Sequence, residues 1–254
     1  MDFTIKRYTE LVESLKERGF QFLPFKDFYK AERSDTVCLR HDVDKWPRNS
    51  LRMASYEYEL GVKSTYFFRM VKGVWDPLLA HEIAELGHEI GYHYEDLAAC
   101  KGDYRQAMDE FKKHLKLIRR VYPVKTICMH GRPLSNYDSR DLWNKYNYED
   151  YGIVAEPYFD VDYSKVFYIT DTGRSWRSQS ANLRDTVDSG FDLEIKSTRH
   201  FIELIQQGQV PERIMINTHP QRWNKPGLKW FRELVGQNIK NVAKILLIRY
   251  RNNP

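Results

Sequence analysis

The sequence predicts an α/β fold: an irregular β/α barrel of fewer than eight units, with mostly parallel strands and helices outside. Three observations carry that prediction. Short β-rich runs alternate with helical periodicity over most of the chain, a pattern that buries a parallel sheet beneath helices. The 254 residues are 42% hydrophobic and 14% aromatic, ample for a sizeable core and unlike a disordered chain. His and Asp gather at the C-terminal ends of the expected strands, where folds of this kind build their sites.

Residues 5–18 have helical periodicity and stop at Gly19. Residues 37–42 read as the first strand. Asn49 is the expected N-cap of a helix running to Leu60 and closed by Gly61. Residues 64–70 form a second strand, and Asp76-Pro77 opens a helix that ends at Gly87. Residues 89–94 are a short strand, 103–121 a long charged helix, and 125–130 a strand behind Pro123. A short helix over 138–145, a strand over 166–170, a helix over 200–207 and a strand over 213–219 follow. The stretch 152–189, rich in Asp, Tyr and Gly, breaks the alternation. One domain over 1–254 is expected.

The net charge of +5 is too mild to indicate nucleic acid. Three cysteines, Cys38, Cys100 and Cys128, form no paired spacing and read as reduced thiols. The first twenty residues lack the apolar core of a signal peptide, and no run is long enough to span a bilayer, so a cytoplasmic location is expected. From Gln221 to Pro254 eight Lys or Arg stand against one acid, Glu233, among Trp and aliphatic residues. A basic amphipathic helix over 224–254 can lie on an anionic membrane surface, here the inner face. More simply, it is a last helix packed on the sheet with its basic face in water. The sequence leaves the oligomeric state open.

The strand ends supply the candidates. The stretch CLRHDVDKWP gives His41, Asp42 and Asp44, and two residues apart on an extended segment put both carboxylates on one side. Such a pair can bind a metal, or one can bind while the other acts as a base. Later exits give His93, Glu95 and Asp96; His130, Gly131 and Arg132; Asp171, Arg174 and Trp176; and His219 and Trp223. His88 and His93 cannot share an ion: on a helix they lie roughly 140° apart, and on a strand about 16 Å apart. His88, at the strand's entry, reads as structural and His93, at its exit, as a ligand. His81, His114 and His200 read as surface or packing residues. No nucleotide-binding glycine loop and no nucleophile elbow is present.

In order, LRHDVD, GHEIGYH, HGRP, ITDTGRSW and NTHPQRW resemble the motif series of the polysaccharide deacetylases, carbohydrate esterase family four. The resemblance covers residues 36–223 and is nearest to divergent prokaryotic members associated with surface-polysaccharide synthesis. It implies a distorted (β/α)7 barrel and a metal-dependent hydrolase that removes N-acetyl groups from an amino sugar in a polysaccharide or glycan precursor. The ion implied is divalent, zinc first, with manganese or iron as alternatives. By resemblance Asp42 is the base, Asp44 and His93 are metal ligands, His219 is the acid and Asp171 orients it. Arg132-Pro133 loosely matches the family's Arg-x-Pro and gives Arg132 a catalytic role. The position of the second motif histidine holds Leu97, which cannot bind metal. Glu95, Asp96 or His130 would have to replace it; otherwise the barrel is catalytically degenerate and binds carbohydrate or a partner. His130, Trp176 and Trp223 are the expected substrate contacts, the indoles as platforms for a sugar ring.

Overall fold

The structure, a computed structural model, describes residues 1–132, 135–176, 187, 190–228, 230–239 and 241. Pro133 and the last part of the basic tail, 242–254, lie outside the described residues. Among the described residues seven strands appear: β1 (Gln21–Phe22), β2 (Thr36–Val43), β3 (Thr65–Phe68), β4 (Glu89–Tyr94), β5 (Ile127–Met129), β6 (Phe167–Thr170) and β7 (Arg213–Thr218). Every pairing is parallel, in the order β5-β4-β3-β2-β7-β6, with β1 against the start of β2. β7 takes one edge of β2; β1 and β3 share the other, β1 at Thr36 and Val37 and β3 from Arg40 onward.

The sheet curls into a partial barrel. Among the described residues β5 and β6 do not pair. Instead an extended segment runs beside β5, held by Val154 N–H to Lys125 O (2.7 Å) and Ile127 N–H to Ala155 O (3.2 Å). The expected distorted barrel of parallel strands and outer helices is therefore observed, with an open seam between its two edge strands.

Side chains alternate across the sheet because the strand period is two. Cys38, Phe67, Cys128, Tyr168 and Met215 share an inner cluster with Phe25 and Phe28, from the one-turn helix α2 (Phe25–Phe28). Phe25 N–H donates to Thr65 Oγ1 at the start of β3 (2.7 Å), so α2 plugs the N-terminal end of the barrel. Gly91, opposite Phe67, has no side chain for a physical reason: a Cβ there would lie 2.3 Å from the Phe67 ring.

The outer face is covered by α1 (Ile5–Glu17), α3 (Arg48–Glu59), α4 (Pro77–Glu85), a short α5 (Asp96–Ala99), α6 (Tyr104–Ile118), a short α7 (Pro157–Asp160) and α8 (Thr198–Gln206). Five start on side-chain caps, from Thr4, Asp76, Asp103, Glu156 and Ser197, which satisfy otherwise orphaned N–H groups. Asn49 is not a cap. Pro47, already in a helical conformation, caps α3 two residues earlier, and Asn49 Nδ2 donates instead to Asn224 Oδ1 (3.1 Å). The expected 138–145 helix is a 3-10 helix over Ser139–Asn144. Among the described residues no helix is long and apolar enough to cross a membrane.

Candidate active site

The parallel arrangement sends every strand's C-terminal end to one side, opposite α2. Asp42 ends the inward face of β2, His93 that of β4, and His130, Asp171 and His219 follow β5, β6 and β7. Sequence position alone thus brings together residues as distant as 42 and 219.

Asp42 is buried and held from two directions. Arg40, two residues earlier on the same face, donates Nε–H to Oδ1 (3.0 Å) and Nη2–H to Oδ2 (2.7 Å). Asn217, on the neighbouring β7, donates Nδ2–H to Oδ2 (3.1 Å). Burial pushes the Asp42 carboxyl up, but Arg40 and the nearby imidazoles outweigh it and hold the group well below the ordinary carboxylate value. It is an anion in a fixed orientation.

His93 Nδ1–H donates to the Cys128 carbonyl (2.9 Å), which leaves the Nε2 lone pair facing the site. Burial pushes this imidazole down to about 4 against the pull of Asp42, so it is neutral at neutral pH. Around Nε2 stand His130 Nδ1 at 3.1 Å and Asp44 Oδ1 at 3.6 Å; His130 Nδ1 is also 3.1 Å from Asp44 Oδ1. These three ligand-type atoms lie within 4.8 Å of one another. Asp44 Oδ1 is buried and accepts no well-directed hydrogen bond, though the His130 imidazole beside it helps hold the carboxyl low. Two imidazole nitrogens and a carboxylate oxygen suit a divalent transition metal, and three protein ligands leave positions open for water and substrate. A second set, Asp42, His93 and Cys128, also clusters, but its carboxylate is already committed to Arg40 and Asn217.

His219 stands across from this set, its Nε2 3.7 Å from Asp44 Oδ2. Its Nδ1–H donates to Asp171 Oδ1 (2.7 Å) and its backbone N–H to Asp171 Oδ2 (3.0 Å). Burial and Arg222 press the imidazole down, but Asp171 wins and the net shift is upward, toward a protonated ring. Asp171 is buried; Arg222 and His219 keep it lowered and anionic against burial.

Several expectations fail on geometry. Asp96 is not a ligand: the chain turns into α5 at this residue, and its carboxylate accepts from Tyr92 Oη (2.7 Å) and His114 Nδ1 (3.0 Å), away from the site. Glu95 Oε1 is taken by Arg69 (2.6 Å to Nη2) and neither ligand set includes the residue, although its Oε2 is buried without a hydrogen-bond partner, 3.9 Å from His130 Nε2. Arg132 does not reach Asp42. It is half exposed, with Nε 3.6 Å from Glu95 Oε2, and the arginine on Asp42 is Arg40. Trp176 and Trp223 are core residues, 3% and 1% exposed, packed with Phe3. Their N–H groups serve Thr198 Oγ1 (2.9 Å) and Asp171 Oδ2 (2.7 Å), so neither offers a face to a sugar. His41 faces outward rather than into the site, where Nε2 meets Glu57 Oε1 (2.7 Å) and Nδ1 meets Thr218 Oγ1 (2.6 Å). Leu97 is buried in the outer core.

No model of a known protein family matches this chain, and no curated protein does. Solved structures that resemble it include a CE4 family pseudoenzyme from Bacillus anthracis (13% identity, TM-score 0.46, over 84% of this chain and 63% of that one). Others are the Bc1960 peptidoglycan N-acetylglucosamine deacetylase (15%, TM-score 0.42, 95% and 91%) and Bacillus subtilis PdaA, a family 4 carbohydrate esterase (12%, TM-score 0.42, 94% and 89%). The chain spans a little under two thirds of the length of the first. At such scores and identities the likeness assigns no activity to this chain.

Proposed function

We propose that this protein is a metal-dependent hydrolase that removes an N-acetyl group from an amino sugar, in the manner of the polysaccharide deacetylases its motifs resemble. The observation that carries the reading is the meeting of Asp44, His93 and His130 within 4.8 Å, beside a fixed carboxylate, Asp42, and an Asp-held histidine, His219. Asp44, His93 and His130 would hold the ion, zinc first and manganese or iron next. When bound, the metal would polarise the amide carbonyl and make water easier to deprotonate.

The remaining work falls to the chain. Asp42, anionic and oriented by Arg40 and Asn217, takes the proton from the attacking water. His219, protonated and held through Nδ1 by Asp171, gives its Nε2 proton to the departing amine, which cannot leave as an anion. His130 supplies the ligand that Leu97 cannot. It comes from the next strand rather than from four residues beyond His93. The partner in this reading is an N-acetylated sugar or glycan precursor.

The test is metal retention. The protein, loaded with zinc and washed, is expected to keep one ion per chain, and Asp44→Ala, His93→Ala and His130→Ala to keep none. Acetate release from N-acetylated sugars should fall on the order of 10²- to 10⁴-fold in His219→Ala. A parent that holds no ion would sink the reading. Retention by His130→Ala, with loss in the other two variants, would move the third ligand elsewhere.

A further inference from the structure

Beside His130 a cleft of about 500 Å³ opens at the rim of the site, lined by Arg69, Ala98, Lys101, His130, Arg132 and Tyr137 among others. None of its lining residues is acidic. Beneath it, Glu95 binds Arg69 at 2.6 Å and stands 3.6 Å from Arg132 Nε, so one carboxylate answers two guanidinium groups. Lys101 is exposed and makes no ion pair among the described residues. The cleft therefore carries a cationic excess, and it touches the ligand set through His130, which belongs to both.

Tyr137 adds a platform. Its ring rests against Gly102, where a Cβ would approach it to 2.3 Å, and Gly102 holds a φ of +85° that other residues seldom adopt. The backbone supports the ring from behind while 44% of the residue remains exposed. An aromatic face beside cations is what a sugar ring bearing an anion requires.

We propose that this cleft is a substrate subsite for an anionic group, so that the amino sugar is presented within a phosphate- or carboxylate-bearing glycan. Lys101 and Arg132 meet the anion and Tyr137 lies under the adjoining ring. The assignment rests on the deacetylase reading for what happens next door, but anion binding here stands by itself.

Calorimetric titration of the zinc-loaded protein with three probes tests it: a neutral N-acetylglucosamine tetramer, a tetramer with alternating glucuronate, and UDP-N-acetylglucosamine. At least one anionic probe should bind about tenfold more tightly than the neutral one, the worth of one charged hydrogen bond. The preference should shrink with added salt and disappear in Lys101→Ala, while Tyr137→Ala should weaken all three probes. The winning probe tells carboxylate from phosphate. Equal binding of neutral and anionic probes, or a preference unchanged in Lys101→Ala, would overturn the subsite. Acetate release is followed in parallel. An anion preference without acetate from any probe keeps the subsite and removes the hydrolase, whereas acetate without preference does the reverse.

Discussion

Arg40 carries its charge at zero exposure, and both oxygens of Asp42 face it. Removing one member of a buried pair strands the other, at a cost of about 3–5 kcal/mol. Arg40→Met should therefore lower stability by that amount in urea unfolding, even though its volume is apolar and well filled. A loss of less than about 1 kcal/mol, the size of an exposed pair, would mean that Asp42 is not dependent on Arg40. The pairing was within reach of the sequence, because period-two alternation puts residues 40 and 42 on one face. Asp42, Asp44, His93 and His219 were legible for the same reason, each sitting at a strand exit. The two indoles were not. A strand exit says that Trp176 and Trp223 are near the loops, but Phe3 and Tyr8 from the far N-terminus cover them, and no local pattern announces that contact.

At the scale of elements, β4 shows how a site residue's address is set. His93 faces inward, and three residues on the chain has already turned into α5, so Leu97 points into the outer core with Phe111 and Leu142. A side chain four residues after His93 would have to leave that core to reach His93 Nε2; His130, one strand over, is already there, its Nδ1 3.1 Å away. Gly91 is the other constraint on β4. Gly91→Ala should cost about 1–3 kcal/mol by overpacking against Phe67, measured by urea or thermal unfolding. A neutral effect would mean that Phe67 can turn aside and that Arg40, whose guanidinium lies 6.0 Å above its ring, tolerates the move. The longer strands and helices were readable from periodicity. β1 and α2 were not, since two and four residues contain no period to read, yet α2 closes the lower end of the barrel.

Over the whole molecule, Glu156 ties the segment after the seam to β5: it accepts from Met129 N–H (2.9 Å) and Tyr158 N–H (2.5 Å). Burial pushes its carboxyl up to about 7, against an ordinary 4.5. Between those values the folded chain holds a proton that the unfolded chain has released. Glu156 thus contributes stability that is full below 4.5 and is lost as pH rises through 7. His93, pressed down to about 4, has the opposite sign over an overlapping range. The measurable quantity is therefore the difference between the parent and Glu156→Gln. Relative to the variant, the parent should lose stability from pH 5 to pH 7.5 in urea titrations. A difference that stays flat over that range would place the Glu156 titration outside it.

The open seam has a mechanical meaning. The ladder reads β5-β4-β3 on one side of β2 and β7-β6 on the other. His93 and His130 ride on the first side, His219 and Asp171 on the second, and β2 carries Asp42 and Asp44 between them. The molecule is built as a clamp with two jaws and a spine rather than as a hoop. One jaw bears His93 and His130 and the other His219, and among the described residues the strand ladders that join them run through the spine. Any widening at the seam therefore changes the gap between His219 and the His93–His130 pair while each jaw keeps its own spacing.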